Sequence, residues 1–515
     1  MSGERSTHLR RVRGIWARAW LLAGATLLAA PAASAAETDL WRLAAAGDPI
    51  VLAGLSPAQE AKIGADEHPK VLEAYGGAYE SGTIGAFAAV TAGHLISNTE
   101  LAGAPFRITV LNSPVVNAFA LPGGYVYVTR GLMALANSEE EFAGVLAHEI
   151  GHVVRRHAAQ RMDAAQTVGI LGTLGTIGAL ILGGESAGQL AQSLIGALGQ
   201  GYILKYSREQ EYEADRVGVT YLARTGYDPY AMATFLGQMD KMSALEAKIA
   251  GQQYDPNRVD YFSTHPNTQD RARQAVQQAL STGVGQQQRP RRVESYLALL
   301  DGAVFGDSRE QGLVRNGTFY HPDLHFAFKV PKGWRLQNAP EAIVLAGPSS
   351  TVVQFDGGKV RSAGDMGRYV QSWGSELKVP ISNIERYSVN GMPAATGTSN
   401  VTYQNRATQL RLVAIDFGGN QIYRFLILVP RSAVSSMNPT LQSLTSSFRR
   451  LSASEAANVK PFHIQIHTVR SGDTVASLSA RMAMSEFRDD WFRVLNDIEA
   501  GAPLQAGRKV KLVVE

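Results

Sequence analysis

The sequence runs to 515 residues, 45% hydrophobic and 18% charged, which is enough chain for about three ordinary domains, each with its own core. It contains no cysteine, and this excludes disulfides, thiolate chemistry and lipid attachment through a cysteine. A formal net charge of +4 over this length is too diffuse to argue for nucleic-acid binding, although it does not oppose contact with an anionic surface.

Residues 1–36 read as a secretory signal peptide. Arg5, Arg10, Arg11, Arg13 and Arg18 form a basic start, Leu21–Ala30 is apolar but too short to span a bilayer, and Ala33-Ser-Ala35 offers small residues for cleavage. The chain is therefore expected to be exported to the periplasm, with membrane or cell-wall association as a further expectation. Residues 37–280 follow as the first large domain. Leu55–Ile63 predicts a helix with Ser56 as its cap and Pro57 at its first position, and Ile84–Leu95 a second. Phe106–Leu111 alternates as a strand. Tyr125–Thr129 does so again after the Pro122-Gly-Gly124 turn, and is read as an edge strand.

The stretch Val145–Val154 holds His148, Glu149 and His152. Ser138 and Glu141 upstream read as a capping box, and Phe142, Val145, Leu146, Ile150 and Val153 supply the apolar positions of a buried helix. Four residues on such a helix bring the two imidazoles onto one face, where they can share one metal ion, zinc by preference. Glu149 lies about 100° around from His148, beside the ion, where a base for the attacking water belongs. His157 is about 140° around from His152 and is read as a surface residue.

Residues 164–204 hold two charge-free, glycine-rich stretches interrupted at Glu185. They predict a packed helical hairpin near the site, with a membrane-dipping element or a true span as alternatives. Downstream, Glu211 and Asp215 again share a helical face, whereas Glu209 and Glu213 point about 200° away. Glu211 is taken as the third metal ligand. Asp215, one turn on, is placed to accept the free N–H of a ligand histidine.

The pairing of His148-Glu-Ile-Gly-His152 with Ser207-Arg208 and Glu211-Tyr-Glu-Ala-Asp215 resembles the zinc metallopeptidases of family forty-eight. Asn117–Gly131 resembles the strand and turn before that family's zinc helix, and Ser263-Thr-His-Pro266 with Arg271 resembles its downstream motif. The resemblance covers roughly residues 50 to 280. It implies a mainly α, gluzincin-type zinc endopeptidase with a small sheet, binding one Zn2+ and acting on extended or unfolded polypeptide. Asn117, Tyr125, Val126 and Tyr127 would line an edge on which substrate pairs. It also makes His265 a cleft residue, either an oxyanion donor or a fourth ligand that keeps the enzyme latent, with latency favoured.

Residues 281–292 read as a linker. Residues 293–452 carry strands at 326–330, 342–346, 351–355, 410–416 and 421–429 and a helix at 432–448, an α+β domain with an antiparallel sheet and no catalytic constellation. With His467–Val475 as opening strand and turn, Ala476–Met484 and Phe492–Asn496 as two helices and Leu504–Leu512 as closing strand, residues 463–515 resemble a LysM module of βααβ order, which implies binding to N-acetylglucosamine glycans such as peptidoglycan. The whole is a multidomain, exported envelope protease, with protein quality control as its expected task. A chaperone or scaffold using the same cleft is the alternative, and a peptidoglycan-processing enzyme a second. Peripheral membrane contact through 164–204 is a further expectation.

Overall fold

A computed structural model describes residues 55–161, 206–251, 253–254, 268–340, 342–361, 364–403 and 405–515. The expected signal peptide, the 164–204 hairpin and His265 lie outside the described residues. Residues 309–460 make one compact unit, and the described residues before 309 join those from 461 onward to make the other.

The second unit begins with α1 (Pro57–Ala74), where Ser56 and Gln59 exchange side-chain and backbone bonds across the first turn and Pro57 opens the helix. α2 (Gly82–Ile96) follows. Then come β1 (Arg107–Leu111), β2 (Ala118–Leu121) and β3 (Tyr125–Thr129), in the order β1-β3-β2, with β1 parallel and β2 antiparallel to β3. β3 is thus the central strand, not an edge. Val126 and Tyr127 are fully buried, and Tyr127 stacks on Phe119. Both sides of the β3 backbone are paired, so Tyr125, Val126 and Tyr127 cannot receive a substrate strand. The outer side of β2 pairs with no strand among the described residues. Asn117 precedes β2, and its side chain donates to Tyr75 Oη at 3.4 Å.

α3 (Arg130–Leu135) is capped by Thr129, and α4 (Glu139–Val154) by Ser138. The expected capping box is half formed: Ser138 Oγ accepts the Glu141 N–H, but the Glu141 carboxylate reaches past the cap to the Asn137 N–H at 2.8 Å. α5 (Arg208–Thr225), α6 (Ala231–Ile249) and α7 (Thr268–Ser281) complete the helices around α4. The expected linker is tied down rather than loose. Arg289 donates to the Ala223 and Tyr227 carbonyls, Arg291 pairs with Asp228 at 2.8 Å, and Arg292 pairs with Glu140 at 3.0 Å. α8 (Val293–Leu300) and β4 (Val304–Phe305) continue this unit. Tyr296 is buried in its core and donates to Met133 O at 2.8 Å.

Residues 309–460 build two antiparallel sheets. The smaller contains β5 (Leu313–Arg315), β6 (Thr318–His321), β7 (Phe326–Lys329) and, at its far edge, β15 (Arg449–Arg450). The larger has β8 (Arg335–Asn338), β9 (Ile343–Ala346), β10 (Val352–Lys359), β11 (Ser382–Val389), β12 (Met392–Tyr403), β13 (Arg406–Gly418) and β14 (Gln421–Pro430), in the order β11-β12-β13-β14-β10-β9-β8. Phe319, Phe326, Phe328, Phe355, Phe425 and Phe448 fill the core on one face, and α9 (Met366–Glu376) covers the other through Val370 and Trp373. α10 (Val434–Ser446) and α11 (Ala453–Asn458) close the unit.

The last segment runs β16 (Phe462–Thr468), α12 (Val475–Ser479), α13 (Arg488–Leu495) and β17 (Lys509–Val514). β16 pairs antiparallel with β17 on one side and with β4 on the other, so the segment extends a strand of the unit that holds α4. Ile464, Ile466, Trp491 and Val494 pack into that unit's core. Lys241 on α6 pairs with Asp497 at 2.7 Å, and fully buried Lys511 donates to the Ala134 and Ala136 carbonyls at 2.8 Å. No helix among the described residues is long and apolar enough to cross a membrane.

Candidate metal centre

α4 is buried along almost its whole length, and His148, Glu149 and His152 are 4%, 1% and 1% exposed. Its close neighbour is α5, and two glycines set the spacing. A Cβ on Gly218 would lie 3.1 Å from the backbone of Ala147 and His148, and one on Gly151 would lie 2.9 Å from Val217. With hydrogen there instead, the helices approach closely enough for Glu211, itself 1% exposed, to meet both histidines. α5 starts at Ser207, which shares a capping box with Gln210, so its first turn presents Glu211 inward and Glu209 outward.

His148 Nε2 and His152 Nε2 stand 3.0 Å apart, and the Glu211 carboxylate oxygens lie 3.6 and 3.5 Å from them. Neighbouring ligand atoms of a tetrahedral zinc with bonds near 2.0–2.1 Å are roughly 3.3 Å apart, so the set matches the ion in size as well as in chemistry. His148 Nδ1 faces Asp215 Oδ1 at 2.8 Å. The carboxylate accepts the Nδ1–H and leaves Nε2 as a bare lone pair directed at the other donors. Three electron-rich groups converging in a buried place make a ready site for a cation. Among the described residues, His148, His152 and Glu211 are placed to hold a metal ion.

Arg271 on α7 holds this arrangement from behind. Its guanidinium bonds Asp215 through Nε at 2.6 Å and through a terminal nitrogen at 2.7 Å, and meets Glu211 Oε2 at 2.8 Å. Burial alone would raise the Asp215 carboxyl, but Arg271, with help from His148, outweighs it and brings the group to about 2. Burial would likewise lower the Arg271 guanidinium, and Asp215 and Glu211 hold it above its ordinary value. Asp215 therefore stays an anion and an acceptor throughout the neutral range.

Two features escape the sequence reading. His157 is not on the surface but 0% exposed, its Nδ1 2.9 Å from His152 Nδ1 and its Nε2 3.2 Å from Glu213 Oε2. α4 ends at Val154, and Arg156 takes a left-handed φ of 56°, so the helical angle used to place His157 does not apply. Tyr206 stacks on His152 with ring centres 3.9 Å apart. A cavity beside it is lined by Ala120, Leu121 and Pro122 from the end of β2 together with His152 and Tyr206.

The model of peptidase family M48 matches residues 89–279. This part of the chain is a peptidase family M48 domain. The M48 match contains all three ligand positions, Glu149 and Asp215. The beta-barrel assembly-enhancing protease of Yersinia pestis is 37% identical over 158 residues, 30% of this chain and 32% of that one. Its namesake in Escherichia coli strain K12 is 33% identical over 204 residues, 39% of each chain. The mitochondrial metalloendopeptidase OMA1 of Schizosaccharomyces pombe is 28% identical over 218 residues, 42% of this chain and 59% of that one. The chain spans 32% and 39% of the length of the first two relatives.

Proposed function

We propose that the chain is an exported, zinc-dependent endopeptidase of the cell envelope, cutting extended segments of misfolded or unassembled proteins. The observation that carries this reading is the donor set: two imidazole nitrogens and a carboxylate converge at zinc-ligand spacing, with Glu149 buried one residue along the same helix. Zinc bound there supplies a Lewis acid that polarises a peptide carbonyl and acidifies water. Glu149 takes a proton from the attacking water and returns it to the leaving amine, a task suited to a carboxylate held out of bulk solvent. Asp215 and Arg271 keep the ligands aimed. β2, whose outer side pairs with no strand among the described residues, ends at the cavity beside His152, so an extended peptide adding there would be held by its backbone, whatever its side chains. Substrate pairing is thereby assigned to β2 rather than to β3.

Elemental analysis and casein cleavage, run on the native chain and on Glu149→Gln, test the reading. One zinc per chain, with cleavage lost in the variant, is expected. A native chain purified without metal would overturn it, and a Glu149→Gln chain that keeps its biological effect while losing cleavage would point to holding rather than cutting. His265 is proposed to restrain the site, so His265→Ala should raise peptide hydrolysis, whereas a large loss would assign it to the oxyanion. Residues 463–515 are proposed to contact envelope glycan, tested by co-sedimentation of the full chain with purified peptidoglycan, and residues 164–204 to gate the cleft or touch the membrane, tested by flotation with liposomes.

A further inference from the structure

His148 and His152 are unequally supplied. A carboxylate sits directly on Nδ1 of His148. Nδ1 of His152 faces another imidazole nitrogen, His157 Nδ1, at 2.9 Å. Between two such nitrogens one must donate and the other accept, and the two choices have opposite consequences. If His152 donates, its Nε2 is a bare lone pair facing His148 Nε2 and Glu211. If His157 donates, a neutral His152 carries its proton on Nε2, in the ligand position. The pair alone does not decide between them.

The far side of His157 decides. Its Nε2 lies 3.2 Å from Glu213 Oε2, and a carboxylate can only accept. Neutral His157 therefore places its hydrogen on Nε2, which leaves Nδ1 to accept from His152. We propose that His157 and Glu213 are positioning residues that fix the proton of His152 on Nδ1 and so present Nε2 to zinc, a carboxylate acting on the second histidine at one remove. The inference rests on the zinc-site reading above. Burial supports the pairing, since His157 is 0% exposed and an unmade bond there would leave a polar atom stranded. Glu213 by contrast has a side chain 36% exposed, with Arg155 at 3.5 Å and Arg216 at 3.9 Å, so its chemistry can be changed without disturbing a core. Glu209 is the matching control, an exposed acid one turn earlier on the same helix, whose side chain bonds Ser207.

Zinc affinity of the full chain, measured by chelator competition, is the test. Glu213→Lys replaces the acceptor by a donor, favours the wrong tautomer of His157, and should weaken zinc binding by about ten- to a hundred-fold. Glu213→Gln keeps a carbonyl acceptor and should restore most of the affinity. Glu209→Lys makes the same charge change and should stay close to native. Nitrogen-15 spectra of the zinc-free chain should show the His152 proton on Nδ1 in the native protein and its displacement in Glu213→Lys. If the native chain binds zinc while Glu213→Lys and Glu209→Lys match it, the chain from Glu213 to His152 does not position the ligand and the proposal falls alone. A native chain that binds no zinc would bring down both readings.

Discussion

Glu209, Glu211 and Glu213 stand within five residues of one another on α5 and have three different fates. Glu211 is buried against both histidines, Glu213 reaches His157, and Glu209 is exposed. Glu211→Gln should abolish tight zinc binding, because an amide is a far weaker ligand, whereas Glu209→Gln should leave it intact; chelator competition on both variants checks this. Arg271 carries the complementary prediction. Removing it leaves the anions Asp215 and Glu211 buried together, so Arg271→Met should destabilise the zinc-free chain by about 3–5 kcal/mol. Added zinc should recover part of that loss, since a cation again faces Glu211. Urea unfolding with and without zinc measures it, and equal losses in both conditions would contradict the account.

At the scale of elements, the metal centre is a product of helix spacing. α4 and α5 can carry perfect motifs and still fail to make a site if they pack one methyl group too far apart. Gly218 faces the Ala147–His148 backbone, which cannot swing aside as a side chain would. Gly218→Ala should therefore cost about 1–3 kcal/mol from overpacking, and Gly218→Val more, with zinc affinity falling in parallel. Thermal melts beside zinc titrations check this, and a destabilised variant with native affinity would separate packing from the site. The helix periodicity of α4 and α5 made His148, His152, Glu211 and Asp215 legible, because residues four apart on one helix share a face in any fold. It could not reveal His157, which lies beyond the helix end, nor the Arg271 bridge, which depends on how α7 docks. The edge strand was misplaced for a related reason. Alternation in Tyr125–Thr129 marks a strand but says nothing about its neighbours, and β1 arrives from earlier in the chain to make β3 central.

For the whole molecule, the C-terminal segment matters most. It reads as a separable module, yet it adds strands beside β4 and inserts Lys511 at the end of α3. Deleting residues 461–515 should uncover the core that Ile464 and Trp491 pack against and lower melting temperature and casein cleavage together, where a tethered module would leave both unchanged. Lys511 also gives a pH signature. Burial pushes its ammonium down from 10.5 to about 7 in the folded chain. Below that both states hold the proton. Between about 7 and 10.5 the unfolded chain keeps it while the folded chain has released it, so this group's contribution to stability rises with pH across the window. The melting temperature of the native chain relative to Lys511→Met should climb from pH 7 to pH 10, and a constant difference would mean that Lys511 stays charged.

What the sequence determined by itself was local: where two of the helices begin, through Ser56 and Ser138, and which side chains share a helical face. Those properties follow from backbone geometry within a few residues, and they were enough to name His148, Glu149, His152 and Glu211. The tertiary structure alone decided which strand is an edge, what lies behind each ligand, and which unit the last fifty-five residues join. Each of these depends on contacts between segments far apart in the chain, such as Arg271 with Asp215 or Lys511 with Ala134, whose formation rests on shape and burial that no local pattern encodes.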